Sequence, residues 1–291
     1  MEPKMQTTLS ADIRFDGVGL HTGKECGIVI RPAPAGAGVT FINNTDGHAI
    51  IQARPENVIS AHHGTVLGDA KGKTVGTVEH LMAALAICGV HNAQIDVFGG
   101  EVPILDGSAA PFVDGITGVG VAIQGTAQSE IIIEEPISVK DGDREIVIKP
   151  HDGFSLDVSI AFEDCLIGRQ SVKLKLNDRA ALRRLARSRT FCRMHEVEYL
   201  RDAGLIKGGS LENSIVVDGA QVLNDGDLRD PEEFVLHKAL DLIGDLYLLG
   251  APIRGAIRAI KPGHDINTGM ALALRQRYGV DHAGEKLRAV G

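Results

Sequence analysis

The chain has no tryptophan, and aromatic residues fill only 4% of its 291 positions. Together with a formal net charge of -8, this leaves little for gripping phosphate backbones or stacking bases, so nucleic acid is not an expected partner. Long apolar runs are missing too. None approaches the ~18 residues of a membrane-spanning helix, and the longest candidates, such as Leu81 to Val90, suit a buried helix. The opening MEPKMQTTLSADI lacks the apolar stretch and small-residue cleavage site of a secretory signal, which makes the cytoplasm the expected compartment. The cysteines, Cys26, Cys88, Cys165 and Cys192, are too scattered for a disulfide framework or a CxxC knuckle. Any metal must therefore be held by histidine and carboxylate.

What the chain does have is 44% hydrophobic residues, enough for one large or two modest cores. Its 35 glycines predict many tight turns, which fits short strands joined by hairpins and an α+β class. ECGIVIRP and GVTFIN read as strands. VEHLMAALAICG reads as a helix capped by Thr77 and stopped by Gly89, followed by a strand in NAQIDVFGG. Around Gln124 to Ser129 the chain turns polar, which divides it into residues 1–126 and 127–291. The second part repeats the order: strands in EIVIKP and FSLDVSIAF, helices in DRAALRRLARSR and EFVLHKALDLIGDLYLLG, and a strand in RGAIRAIKP. Such a faint duplication would bring equivalent helices together at a shared interface.

In FVLHKALDLIGDLYLL the apolar residues lie almost all round the helix, yet His237, Asp241 and Asp245 recur every four residues. A buried carboxylate needs a metal, a cation or a hydrogen-bond network, so this polar line points to function. The alternative is a His-Asp pair near the helix start with Asp245 at a polar edge. His237 and Asp241 can supply two ligands to one ion, and His80 is the best third, because Glu79 beside it could take a proton from water at that ion. In isolation, Glu79 reads more readily as a solvated acid at a helix start and His80 as a satisfied, partly buried histidine. GVGLHTG resembles a phosphate-cradling loop, but a strand follows it and not a helix, so a dinucleotide site is rejected. His21 and the His62-His63 pair read as loop residues near a cleft. KPGHDIN reads as a turn that projects Lys261 and His264.

In the order GVGLHTG, TVEHLMAAL, EVPILDGSAAPFV, GFSLD, SRTF, GSLENSIVV, LHKALDLIGDLYLLG and KPGHDIN, these segments closely resemble the UDP-3-O-acyl-N-acetylglucosamine deacetylases of lipid A synthesis. The resemblance implies two similar domains, each a sheet packed on helices, with the helices sandwiched between the sheets. It implies Zn2+ held by His80, His237 and Asp241, with Glu79 as general base and His264 as general acid held by Asp245. By the same resemblance the Thr190 hydroxyl stabilises the oxyanion, Lys238 and Lys261 contact the substrate, and Phe162 stacks the uracil ring. An insert around Ser188 to Val217 is implied to line an acyl passage, with Leu20, Phe191 and Ile206 as wall or ordinary core. The implied partner is a small molecule, an acylated UDP-sugar; a monomer is expected, and peripheral membrane contact stays open. A metal-dependent amidase acting on a different acylated amine and a non-catalytic sugar-nucleotide binder are the rival readings. His63 and Gly64 depart from the apolar residue and cysteine associated with many family members, which leaves the acyl-chain preference open. Residues after Ala271 match no family segment.

Overall fold

The computed structural model describes residues 4–45, 47–175 and 177–279. One sheet runs in the order Ile13–Val18, Glu25–Pro32, Ala93–Phe98, Val39–Asn43, Ala49–Gln52. The other runs Ile137–Asp141, Arg144–Lys149, Ile253–Ile260, Phe154–Phe162, Gly168–Lys175, with the short strand Ile131–Ile132 also paired to Ile253–Ile260. Each sheet consists of two hairpins flanking a late central strand, which is antiparallel to the first hairpin and parallel to the second. The faint sequence duplication is thus a repeat of connectivity and strand sense. Leu156, Val158 and Ile160 point inward at every second residue, the period of a strand with one buried face.

Among the described residues the α-helices are α1 (Glu79–Cys88), α2 (Ala110–Val119), α3 (Arg179–Ala186), α4 (Met194–Asp202), α5 (Glu233–Tyr247) and α6 (His264–Tyr278). The helices α1 and α5 precede the equivalent central strands and pack against each other, as the duplication predicts. Buried apolar residues form one cluster from Ile28 and Ile95 of the first sheet, through Leu81 of α1 and Leu240 of α5, to Val158 and Ile257 of the second. The fold is α+β. At Gly244 a Cβ would stand 2.1 Å from the Glu79 carbonyl oxygen, so only glycine lets the two helices cross this closely.

Two local expectations change. Gly89 does end α1 in the left-handed conformation (φ 66), but Thr77 does not cap its start. The Thr77 hydroxyl donates instead to Glu101 at 2.8 Å, a charged acceptor that outcompetes a backbone partner. The KPGHDIN segment is a turn only as far as Gly263; His264 is the first residue of α6. Ile266, Met270 and Leu274 bury one face of α6 at four-residue spacing. Residues after Ala271 therefore continue a packed helix to Tyr278, while the last residues, His282 among them, lie outside the described chain. No described helix is long and apolar enough to cross a membrane.

Candidate metal centre and active site

The first turn of α1 and the middle of α5 meet where both are buried on all sides. Every residue of α5 except Lys238 and Tyr247 is buried, so its polar line cannot reach solvent along the helix surface. Asp245 is completely buried, which removes the alternative of an acid at a polar edge. Glu79 and His80 are buried as well, at 3% and 4% exposure, and are neither a solvated acid nor a half-exposed histidine.

His80 Nε2 lies 3.6 Å and His237 Nε2 3.3 Å from the same oxygen, Asp241 Oδ1. One donor atom from each of the three residues falls within 4.8 Å of the others. Donors at about 2.0–2.1 Å from a tetrahedral ion stand roughly 3.3–3.4 Å apart, so the two measured spacings suit one shared ion. Three further observations support that fit. Asp241 Oδ1 is a buried oxygen without a hydrogen-bond partner among the described residues. His237 Nδ1 donates to the Ser188 carbonyl at 3.1 Å, which leaves the Nε2 lone pair facing the cluster. Burial drives His237 down to about 3, so its ring is neutral, as a ligand must be. Burial opposes ionisation of Asp241 too, but the Lys238 ammonium, 2.6 Å from Oδ2, and the charged His264 ring hold it well below the usual carboxylate range.

A second set of contacts surrounds His264. Its Nδ1 donates to Asp245 Oδ2 at 2.9 Å, and its Nε2 faces Glu79 Oε1 and Asp241 Oδ2, each at 3.9 Å. Burial disfavours the charged ring, but Asp245, Asp241 and Glu79 outweigh it and raise His264 to about 9. Asn267, one turn along α6, donates to the same Asp245 oxygen at 2.9 Å.

These groups border a cavity of about 560 Å³ whose apolar wall includes Leu20, Phe191, Val197, Leu200 and Ile206. His21, His62, His63, Thr190 and Lys238 also line it. The segment between Ser188 and Val217 builds much of this wall from the strand Phe191–Arg193, α4 and the strand Ile215–Asp218. Two expected contacts stand outside the lining. Phe162 packs edge-on against Phe191 with ring centres 5.6 Å apart and lies under the Arg193 guanidinium. Lys261 pairs with Asp143.

The left-handed residues His63, Thr77, Ile206 and Lys261 either line the cavity or lie within three residues of Glu79 or His264. Such backbone strain, of order 1–3 kcal/mol per residue, persists where the surrounding packing over-determines it.

Sequence reading missed several supports. Glu101 accepts from the backbone of His21 and Thr22 and from the Thr22 and Thr77 hydroxyls. Two amides of GVGLHTG, those of His21 and Thr22, are therefore spent on an internal carboxylate. Glu233, fully buried, accepts from Arg189 and Arg229 and so anchors the segment that carries Thr190. Thr65 bonds both Glu79 and Asp245. None of these has a periodic signal; only Asn267, at i+3 from His264, could have been read from spacing once α6 was known to be a helix.

A family model described as "LpxC: UDP-3-O-acyl N-acetylglycosamine deacetylase" matches residues 6–276. The chain is 43% identical over 274 residues to a UDP-3-O-acyl-N-acetylglucosamine deacetylase of Phenylobacterium zucineum (strain HLK1), covering 94% of each. A protein of the same name from Acidithiobacillus ferrooxidans (strain ATCC 53993 / BNL-5-31) is 45% identical over 276 residues, 93% of this chain and 90% of that one. Another, from Anaeromyxobacter dehalogenans (strain 2CP-C), is 44% identical over 262 residues, 90% of this chain and 84% of the relative.

Proposed function

The chain belongs to the LpxC family of UDP-3-O-acyl N-acetylglycosamine deacetylases, and from that membership we propose how its residues remove the N-acetyl group of UDP-3-O-acyl-N-acetylglucosamine. The reaction is a hydrolysis that releases acetate and serves lipid A synthesis. The observation that carries the residue assignment is the convergence of His80, His237 and Asp241 around one unpartnered buried oxygen.

His80, His237 and Asp241 are the residues that would hold the metal, and two imidazoles with one carboxylate are a donor set suited to Zn2+. When bound, that ion supplies Lewis-acid polarisation of the acetamide carbonyl and of the attacking water. Glu79 takes the proton from the attacking water through Oε1, the oxygen it presents toward His264 Nε2. His264, kept protonated by its buried carboxylate neighbours, donates from Nε2 to the departing amine nitrogen. Asp245 orients its ring through Nδ1. The Thr190 hydroxyl is assigned to the developing oxyanion, and Lys238 to the substrate as well as to Asp241. Leu20 and Phe191 belong to the wall that receives the acyl chain, while Phe162 and Lys261 are assigned to the nucleotide end. All these groups come from one chain, so a monomer suffices, and the cytoplasm is the compartment proposed.

The test is mass-spectrometric detection of acetate and free amine from UDP-linked N-acetylglucosamine with and without the 3-O-acyl chain, before and after chelation. Release that depends on both the acyl chain and the ion supports the reading. Equal turnover of the unacylated sugar would overturn the substrate assignment, and turnover unaffected by chelator would overturn the metal.

A further inference from the structure

Glu79 and His264 come from different helices, α1 and α6, yet they must act on one substrate within about 3 Å of each reacting atom. Between them lies Thr65, which belongs to neither helix and is fully buried. Its backbone N–H donates to Glu79 Oε2 at 3.0 Å, which ties down one carboxylate oxygen and leaves Oε1 facing His264 Nε2. Its hydroxyl donates to Asp245 Oδ1 at 2.5 Å, and the Thr65 hydroxyl oxygen itself stands 3.3 Å from His264 Nδ1. Asp245 Oδ2 already accepts from His264 Nδ1 and Asn267 Nδ2. The Thr65 hydroxyl is therefore the donor that completes Asp245 on its other oxygen and holds the plane of the carboxylate.

We infer that Thr65 is a positioning residue that couples the placement of the two proton-transfer groups, through its amide to Glu79 and through its hydroxyl and Asp245 to His264. The inference rests on the roles given above to Glu79 and His264. The approach to Thr65 is built for this placement. His63 is left-handed (φ 61), and a Cβ on Gly64 would come within 3.3 Å of Glu79 Oε1 and 3.1 Å of His21 Nε2. The chain thus passes close beside the carboxylate before presenting the Thr65 amide to it.

The two bonds separate cleanly by substitution. Thr65→Val keeps the shape and the amide donor but loses the hydroxyl, and Thr65→Ser keeps the hydroxyl. In Thr65→Val, kcat for acetate release should fall about 10- to 100-fold with KM within about twofold and metal content unchanged, the range found for lost supports of this kind. In Thr65→Ser, kcat should return to within about threefold of the parent. A readout that needs no substrate is the low-field proton resonance of His264 Nδ1–H in the holoenzyme, labelled at histidine nitrogen. It should be shifted or lost in Thr65→Val and restored in Thr65→Ser. Thr65→Ala, which leaves room for a water, takes the place of Thr65→Val should the valine fail to fold.

A parent-like kcat and parent-like resonance in the valine variant would overturn the inference. So would equal impairment of the serine and valine variants, since that marks packing and not the hydroxyl. If the parent itself released no acetate, the functional reading would fall, while the resonance would still decide whether Thr65 places His264.

Discussion

Two cavities share the helix pair α1 and α5, and they differ in a way that size does not predict. One, of about 560 Å³, is bordered by Glu79 and His80 from the start of α1 and by His237 and Asp241 of α5. The other, of about 1020 Å³, is bordered by Ala86 and Ile87 near the end of α1 and by Ile243, Leu246 and Tyr247 near the end of α5. The larger cavity also has charge, but its ion pairs are wet: Arg254 pairs with an Asp152 side chain that is 90% exposed, and Lys4 with Glu130 through a lysine that is 82% exposed. Water screens such pairs. At the smaller cavity Glu79, His80, His237, Asp241 and His264, with Asp245 behind them, are buried or nearly so, and each therefore depends on the next. Burial and convergence single out the smaller cavity as the proposed site, because a dry charge must be matched by a partner, an ion or a proton.

The contrast can be pressed hardest at Glu79. Glu79→Gln keeps an acceptor for the Thr65 amide but removes the base, so turnover should drop by about 10²–10⁴-fold with the metal retained. Metal analysis alongside acetate-release kinetics measures this, and a loss of less than about tenfold would show that the buried acid is structural.

A smaller and more diagnostic effect concerns pH. His264 is raised to about 9 against the burial that would lower it, so the acid it provides is present below that pH and is lost above it. A raised histidine pKa also means that its contribution to stability is full below about 6.5 and fades as pH climbs through about 9. A bound dication lowers the value, so the alkaline limb of kcat/KM should fall at or below about 9. Asp245→Asn removes the leading charge that favours the protonated ring, and should move the limb to lower pH while reducing kcat. A limb that stays in place in Asp245→Asn would assign the acid to another group.

At the larger cavity the expectation is nearly nothing. Arg254→Ala should leave turnover within about twofold and change stability by less than about 1 kcal/mol, because its partner is solvated. A large loss of turnover there, read in the same assay, would erase the distinction between the two cavities.

Much of this arrangement was legible beforehand. The α+β class followed from glycine usage and alternating strands, and α1 and α5 followed from helical spacing with Gly89 as a stop. His237 and Asp241 are four apart on one helix, so their proximity is a local property. What escaped were contacts with no local signature. Thr77 has the residue type of a cap, but it serves Glu101 across the turn. The Pro-Gly before His264 signals a loop, but the apolar positions Ile266, Met270 and Leu274 carry a helix onward. Thr65 bonds a residue 180 positions away, and nothing in HHGTV announces that.

Residue order alone therefore determined which side chains could be ligands and acids, since type and helical period are properties of neighbours along the chain. Tertiary structure decided which of them meet. The crossing at Gly244 sets His80 against His237 and Asp241, and the Thr65 segment brings α1 and α6 into register with one Asp245 carboxylate. The reason is physical: a buried charge is stabilised only by groups within a few ångströms of it, and distance through space between remote segments is fixed by packing and not by spacing in sequence.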